Sequence, residues 1–289
     1  MRKPYPTDLT DEQWALLRPL IPPAKHGGRR RSVDLREVVN TLLYQARAGC
    51  QWDMLPHDLA PRSTAHDYLK RWEADGTWQR LVDALRQRAR TEQGREDAPR
   101  VAYIDSQSVK TTEMGGEKGY DGGKKVTGRK RHLIVDSLGF LLAVAVTTAK
   151  ADDGTAAPQV LGKLTPEMRR RLETVWGDGR YHNRSLRRWL RQGEATYEVR
   201  VVSRPEGAKG FVLLPKRWVV ERSIAWLGRY RRLSKDYEYE TTASEAWVKV
   251  CAVSHLLRRL RPNQAHPQPP FRYPKPKQKV ACNPSILPG

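Results

Sequence analysis

The spacing of apolar residues changes at Pro99, and this change constrains the fold more than any other feature of the sequence. Before Pro99, apolar side chains recur every three or four residues, as in amphipathic helices. After it, short apolar runs alternate with helical patterns, which indicates strands and helices in one layered unit. We therefore predict a helical domain at 1–99, a mixed-sheet α/β domain at 100–261 and a tail at 262–289, so that the chain is α+β overall.

Helix start and stop signals delimit four helices in the first region. Thr10 and Gln13 fit a capping box, in which each side chain bonds the backbone N–H of the other residue. Gly49 and Gly76 supply C-terminal stops for the second and third helices. The predicted helices follow Thr10, span Asp34–Arg47, span Ser63–Ala74 with Ser63 or Thr64 as the cap, and begin at Thr77.

The second and third helices, joined through residues 52–56, are arranged like a helix-turn-helix variant. The exposed face of the third helix would then enter a DNA groove, and the basic segment before the second helix would contact phosphates. The alternative is a small helical bundle with a solvated polar face and an ordinary basic loop, and the pattern does not decide between them. The candidate groove residues are Ser63, Thr64, His66, Asp67, Lys70 and Arg71, and the candidate phosphate contacts are Arg29, Arg30 and Arg31.

In the second region, two short apolar runs each deliver an aspartate at their end. Residues 101–104 lead to Asp105, and residues 172–176 lead to Asp178 between two glycines. A turn at 136–139 joins two further apolar runs and predicts a hairpin. The helical pattern at 216–229 contains Glu221. If the first two runs are neighbouring strands, Asp105 and Asp178 converge on one point of the sheet.

Positive charge is the main compositional signal. The chain carries 53 Lys and Arg against 32 Asp and Glu, a formal net charge of +21. Residues 101–261 hold 31 basic and 18 acidic side chains, a net +13, whereas the tail at 262–289 combines eight prolines with four basic residues and predicts disorder. Such an excess favours nucleic acid as a partner, because Lys and Arg displace counterions from phosphates. The alternative is a compositional preference for arginine.

Cysteine usage and hydropathy exclude several other classes of protein. The three cysteines are widely spaced, which argues against a disulfide framework or a structural zinc site. No apolar run approaches the roughly 20 residues of a membrane helix, and the first residues carry no apolar segment of the signal-peptide type. We therefore expect a cytoplasmic protein with no membrane partner.

Converging carboxylates in a basic chain predict a site for hard divalent cations. Mg²⁺ or Mn²⁺ prefers carboxylate and water oxygens, and two such ions assist in-line displacement at phosphorus. Taken singly, an aspartate after a strand is more often a turn or cap residue. The joint occurrence of Asp105 and Asp178 favours the metal site.

Several motifs resemble those of bacterial insertion-sequence transposases of the insertion-sequence-five family. The resemblance spans about residues 5 to 260 and leaves the tail outside. It rests on the segments 104–110, 119–121, 128–132, 135–139, 177–181, 220–222 and 226–233, and in the first region on Trp52, Leu55-Pro56, Ser63-Thr64 and Arg71-Trp72.

This resemblance implies an RNase H-like catalytic domain of the DDE type. Asp105, Asp178 and Glu221 would be its three metal-binding acids, in that order. Arg217 matches the arginine of a related Tyr-x2-Arg-x3-Glu-x6-Lys signature. The tyrosine position holds Leu214, however, and Gly228 stands at the lysine position, with Arg229 one residue later as the candidate phosphate contact.

The resemblance also implies the reaction and the partners. Water held by two divalent ions would cleave a phosphodiester at an end of the element, and the freed 3′-hydroxyl would attack target DNA without a nucleotide cofactor. The partners would be double-stranded DNA and a second copy of the chain, since two ends must meet. From the residues themselves, a backbone-binding strip is expected at Lys124, Lys125, Arg129, Lys130 and Arg131, and the alternative is a solvated loop.

Two other functions stay open at this point. One is a sequence-specific DNA-binding protein without catalysis, such as a repressor or a domesticated relative. The other is an RNase H-like nuclease that hydrolyses DNA and never joins it. The three acids argue against the first function, and the sequence does not separate the second.

Overall fold

The computed structural model describes residues 2–24, 27, 31–193, 195–202 and 215–267. Arg29, Arg30 and Leu214 lie outside the described residues, and so does the tail beyond residue 267. In the described part of the chain, no helix is both long and apolar enough to cross a membrane.

Helices dominate the first hundred residues, and strands enter after them. The helices are α1 Asp11–Leu17, α2 Leu35–Ala48, α3 Arg62–Ala74, α4 Thr77–Thr91, α5 Asp153–Leu161, α6 Pro166–Arg171, α7 Arg184–Gln192, α8 Pro215–Leu227 and α9 Thr241–Leu260. The strands are β1 Val101–Lys110, β2 Gly119–Asp121, β3 Val126–Asp136, β4 Leu141–Thr148, β5 Thr174–Gly177 and β6 Glu198–Val201.

Local capping signals account for most helix boundaries. Thr10 and Gln13 form the predicted capping box at α1. Asp34 caps α2, and Gly49 ends that helix with a left-handed φ of 68°, a conformation that glycine adopts without steric cost. The prediction for α3 was wrong at its start: this helix begins at Arg62 after Pro61, so neither Ser63 nor Thr64 is its cap. Pro61 is the N-cap residue, with φ −53° and ψ 139°, and no side chain caps the first turn of this helix.

The strands form one mixed sheet in the order β4–β3–β1–β5–β6, with β2 paired to the first residues of β3. β1 pairs with β3, and β3 with β4, in antiparallel fashion. β5 lies parallel to β1, and β6 lies parallel to β5. The predicted hairpin at 136–139 is confirmed as the connection between β3 and β4.

Alternation along the central strands divides the apolar residues between two cores. Leu133 and Val144 face a core that the sheet shares with α1–α4 and α9. Ile134 and Ala143, their neighbours in sequence, face a second core with α5, α6 and α7. Because successive side chains of a strand point to opposite faces, one pair of strands supplies both layers.

A buried ion pair fastens α4 to the sheet. Arg90 donates from Nη1 to Asp136 Oδ2 over 2.7 Å, and the two side chains are 5% and 0% exposed. Asp136 also accepts the N–H groups of Leu138 and Phe140 in the hairpin turn. The helices of residues 1–99 therefore pack into one structure with the sheet and α9, through both polar and apolar contacts.

We expect Arg90→Ala to lower the free energy of unfolding by about 3–5 kcal/mol, because it leaves the Asp136 carboxylate buried without its cationic partner. Chemical denaturation followed by circular dichroism measures this loss. Arg88→Ala on the same helix is the control, since Arg88 and Glu92 form an exposed pair of the kind worth at most about 1 kcal/mol. Equal effects of the two substitutions would contradict the role of the buried pair.

Candidate active site and DNA-facing residues

Asp105 and Asp178 lie side by side at matching positions of two parallel strands. In the register of β1 on β5, Tyr103 pairs with Trp176. Asp105 lies two residues after Tyr103, and Asp178 lies two residues after Trp176. Asp178 comes directly after β5 and keeps an extended backbone, with φ −83° and ψ −179°. Neighbouring strands are about 5 Å apart, and residues two apart share a face. The sequence prediction that these two acids converge thus has a structural basis in strand register.

The surroundings of Asp105 disfavour its charge. Burial is the main reason that the pKa of Asp105 is raised to about 6. The Ser106 N–H donates to Oδ1 of Asp105 over 2.7 Å and favours ionisation, whereas the charge of Asp178 opposes it. Arg217 and Lys124 offset this repulsion in part. Asp178 itself accepts the N–H of Arg180 over 3.0 Å.

The third predicted acid lies on α8, which crosses the same face of the sheet. Lys216 at the start of α8 places its Nζ 3.4 Å from the centre of the Trp176 ring, and Trp176 shares a face with Asp178. Glu221 pairs with Arg217 one turn earlier on the helix, over 3.3 Å. Within the described ranges, no three His, Cys, Asp or Glu side chains lie close enough together to hold a metal ion. The structure brings Asp105 and Asp178 together and leaves Glu221 with Arg217.

A further acid, Asp153, links β1 to the residues after β5 from the opposite face of the sheet. Its carboxylate accepts Ser106 Oγ over 2.7 Å and Arg180 Nη1 over 2.9 Å, and Lys130 Nζ lies 3.2 Å away. Burial opposes its ionisation, but these hydrogen bonds and the charge of Lys130 keep the pKa of Asp153 below its ordinary value. Ser106 follows Asp105, and Arg180 lies two residues after Asp178. Asp153 therefore holds one residue close in sequence to each member of the acid pair.

Sequence reasoning missed this role of Asp153. Two adjacent aspartates before a helix are an ordinary turn or cap pattern, and Asp152 does cap α5 by accepting the N–H of Thr155. Nothing in the local pattern separates the two, because the partners of Asp153 are 21 or more residues away in sequence. A nearby acid, Asp121, accepts Ser108 Oγ over 2.6 Å, and its pKa is lowered to about 2 despite burial.

The predicted basic strip does not form as one surface. Lys124 and Lys125 are exposed, and Lys124 donates to the Ser106 carbonyl over 3.0 Å. Arg129, Lys130 and Arg131 are buried, because they lie on β3 between β1 and β4.

The two buried arginines bind protein acceptors. Arg129 donates to the carbonyls of Glu117 and Glu238 and pairs with Asp236. Arg131 donates to the carbonyls of Leu233 and Lys235. The expectation that these guanidinium groups face DNA is therefore corrected: in this structure they hold residues 233–239 against the sheet.

The candidate groove residues of the first region lie on α3, where Ser63, Lys70 and Arg71 are exposed and Thr64 and His66 are half-buried. Lys70 Nζ lies 3.4 Å from Glu240, and the His66 ring meets the edge of Trp52. The exposed Arg31 donates to the carbonyls of Pro22 and Pro23. Arg217 lies on α8, Arg229 lies two residues after its end, and both are half-buried.

We expect Asp153→Asn to lower the free energy of unfolding by about 3 kcal/mol, because Lys130 and Arg180 lose a buried counter-charge. Thermal and chemical unfolding measure the change. Asp152→Asn is a matched control: asparagine caps a helix as well as aspartate, so its effect should stay within a few tenths of a kcal/mol. A loss for Asp153→Asn no larger than for Asp152→Asn would show that the network contributes little.

Two family models match this chain. Residues 96–256, more than half of the chain, match the family described as "Transposase DDE domain". Residues 9–82 match the family described as "Putative transposase of IS4/5 family".

Two curated relatives come from Burkholderia cepacia. One, the "Insertion element IS402 uncharacterized 16.2 kDa protein", is 31% identical over 125 residues, which is 41% of this chain and 82% of the relative. The other, the "Putative transposase for insertion sequence element IS402", is 33% identical over 130 residues, which is 43% of this chain and 60% of the relative. No solved structure gives a significant match.

Proposed function

The chain belongs to the family of transposases with a DDE domain, and on that premise we propose that it binds the terminal inverted repeats of an insertion sequence, cleaves phosphodiester bonds there and joins the 3′-hydroxyl ends to target DNA by transesterification. The DDE domain is RNase H-like, as expected from the motifs, and the mixed sheet agrees with that fold. The observation that carries the proposal is the placement of Asp105 beside Asp178 on parallel strands.

The acid pair suits a divalent cation. Both donors are carboxylates, and both accept backbone N–H groups. Burial and the nearby charge of Asp178 raise the pKa of Asp105, and a bound cation would relieve both penalties. Mg²⁺ or Mn²⁺ matches such oxygen donors, and DDE domains generally use divalent ions. When bound as a pair, such ions would lower the pKa of water and neutralise charge on the phosphate.

We assign Glu221 as the third acid of this site. α8 lies on the face of the sheet from which Asp105 and Asp178 project, and Glu221 now pairs with Arg217. Joining the site would require Glu221 to exchange this partner. Arg217 would then be available to the phosphate next to the cleaved bond, with Arg229 as a second contact beyond the end of α8.

Residues 1–99 would supply recognition of the element ends. The exposed polar face of α3 is the proposed groove-reading surface, and Arg29, Arg30 and Arg31 are the proposed phosphate contacts. Lys124 and Lys125 are exposed, Lys124 donates to the carbonyl of Ser106 next to Asp105, and the two lysines would hold the DNA backbone. The proposed assembly is a homodimer in the cytoplasm, beside the nucleoid DNA, because the two element ends must be brought to one place before they are joined to target DNA.

We expect Asp105→Ala, Asp178→Ala and Glu221→Ala each to reduce strand transfer at least about 100-fold, since each removes a metal ligand worth about 3 kcal/mol or more of transition-state stabilisation. The measurement is joining of a pre-cut inverted-repeat duplex to a plasmid in Mg²⁺ or Mn²⁺. DNA binding, followed by gel shift, should persist in all three variants.

Glu167→Ala is the control for this series, since Glu167 is an exposed acid on α6, across the sheet. A triad variant that joins DNA at the wild-type rate would remove its residue from the site. Hydrolysed ends without joined products would identify a nuclease. DNA binding without any metal-dependent cleavage by the wild-type protein would identify a non-catalytic DNA-binding protein.

We also expect the wild-type protein to bind Mn²⁺ in the absence of DNA, and the double variant Asp105→Asn/Asp178→Asn to bind it at least about tenfold more weakly, because it loses both charged donors. Electron paramagnetic resonance of free Mn²⁺ measures the affinity. Asp152→Asn, an exposed cap outside the pair, should bind Mn²⁺ like the wild type. Equal affinities of the wild type and the double variant would place the ion elsewhere.

A further inference from the structure

An open groove of about 740 Å³ lies between α8, the last turn of α9 and residues 262–267. Four arginines and two tryptophans line it, and no Asp or Glu occurs among its described lining residues, so the groove is cationic and aromatic. These six residues are Arg222, Arg229, Arg258, Arg259, Trp218 and Trp226.

The charges of neighbouring arginines disfavour the cationic forms of Arg222 and His255 in this groove. Burial is the main cause that lowers the pKa of Arg222, and the charge of Arg259 lowers it further. Burial likewise lowers the pKa of Arg258, with a further contribution from the charge of Arg47. His255, at the inner wall, is held at a pKa of about 4 by burial and by three neighbouring arginines, so it is neutral at pH 7. A bound polyanion would convert this repulsion into attraction.

Arg222 is fixed in place before any ligand arrives. Its guanidinium lies 4.4 Å from the ring centre of Trp218 and 4.8 Å from that of Trp226, and one Nη donates to the Leu138 carbonyl over 3.0 Å. Its Nε is buried and finds no hydrogen-bond partner among the described residues. His255 stacks on Trp226, and its Nε2 is buried without a partner in the same part of the structure. The groove therefore holds fixed polar groups with unused hydrogen-bonding capacity.

The groove adjoins the candidate active site along α8. Trp218, Arg222 and Trp226 recur every four residues and form one stripe of the helix. Arg217 and Glu221 each precede a member of that stripe by one residue, and so lie about 100° around the helix axis from it. One strand of DNA crossing α8 would contact both stripes.

We propose that this groove binds the phosphate backbone of the DNA segment beside the cleaved bond, with Arg222, Arg258 and Arg259 against successive phosphates. The inference rests on the proposed function, because it assumes that DNA is processed at Asp105 and Asp178. It adds a second contact surface on the outer side of α8. DNA is favoured over a small anion because four arginines line the groove, and because α8, which carries Arg222, also carries Arg217 and Glu221.

The salt dependence of DNA affinity tests this proposal. Each phosphate neutralised by a side chain contributes about 0.9 to the slope of log affinity against log salt. We expect Arg259→Ala to lower the slope by about 0.9 and Arg258→Ala/Arg259→Ala by about 1.8, measured by fluorescence anisotropy on a short inverted-repeat duplex without divalent metal. Arg259→Lys keeps the charge and should retain the wild-type slope.

Arg170→Ala is the matched control, an exposed arginine on α6 across the sheet, with the same change in net charge. An unchanged slope for Arg259→Ala, or an equal decrease in slope for Arg170→Ala, would overturn the proposal that the groove binds DNA. Competition by inorganic phosphate alone, with the duplex slope unaffected, would do the same. If the variants change the slope as expected but the wild-type protein never joins ends to target DNA, the proposed function is refuted and DNA binding in the groove is still supported.

Discussion

The parallel pairing of β1 with β5 is the constraint on which the candidate site depends. It sets Asp105 and Asp178 at equal heights on adjacent strands, where the charge of Asp178 raises the cost of ionising Asp105. Two like charges at that spacing are costly unless something neutralises them. The surrounding structure holds this arrangement through Asp153, which binds the residue after Asp105 and the loop after Asp178. The fold thus maintains an electrostatic penalty at the place where a divalent ion would remove it.

Local chemistry made much of the fold predictable. The capping box at Thr10, the glycine stop at Gly49 and the hairpin at 136–139 are short-range signals, and the structure confirms each of them. The pairing of distant segments is set by register and by burial in the assembled sheet, which a single sequence does not display. From the sequence, Arg129 is expected at the surface. It is buried instead, because it lies on β3 between β1 and β4. The meeting of Asp105 with Asp178 could be expected only on the condition that their strands are neighbours.

The arginines of this protein have two different roles, and net charge alone does not distinguish these roles. Arg90, Arg129 and Arg131 are buried and use their several donors to bind carbonyls and carboxylates, so they act as fasteners between distant segments. Arg222 is instead held between two indole rings with donor capacity left over. Arginine suits both roles because its planar fork stays charged under burial and stacks on aromatic faces. A charge count therefore overstates the surface available to nucleic acid.

The position of α9 has a consequence for the order in which the chain can mature. The helices that are synthesised first bury their apolar faces against α9, which is translated some 150 residues after α4 ends at Thr91. During that interval the emerging helices lack their packing surface, and exposed apolar faces of this kind invite misassembly. A product truncated before Thr241 would display the α2–α4 surface permanently. Such a fragment would be a substrate for chaperones and proteases.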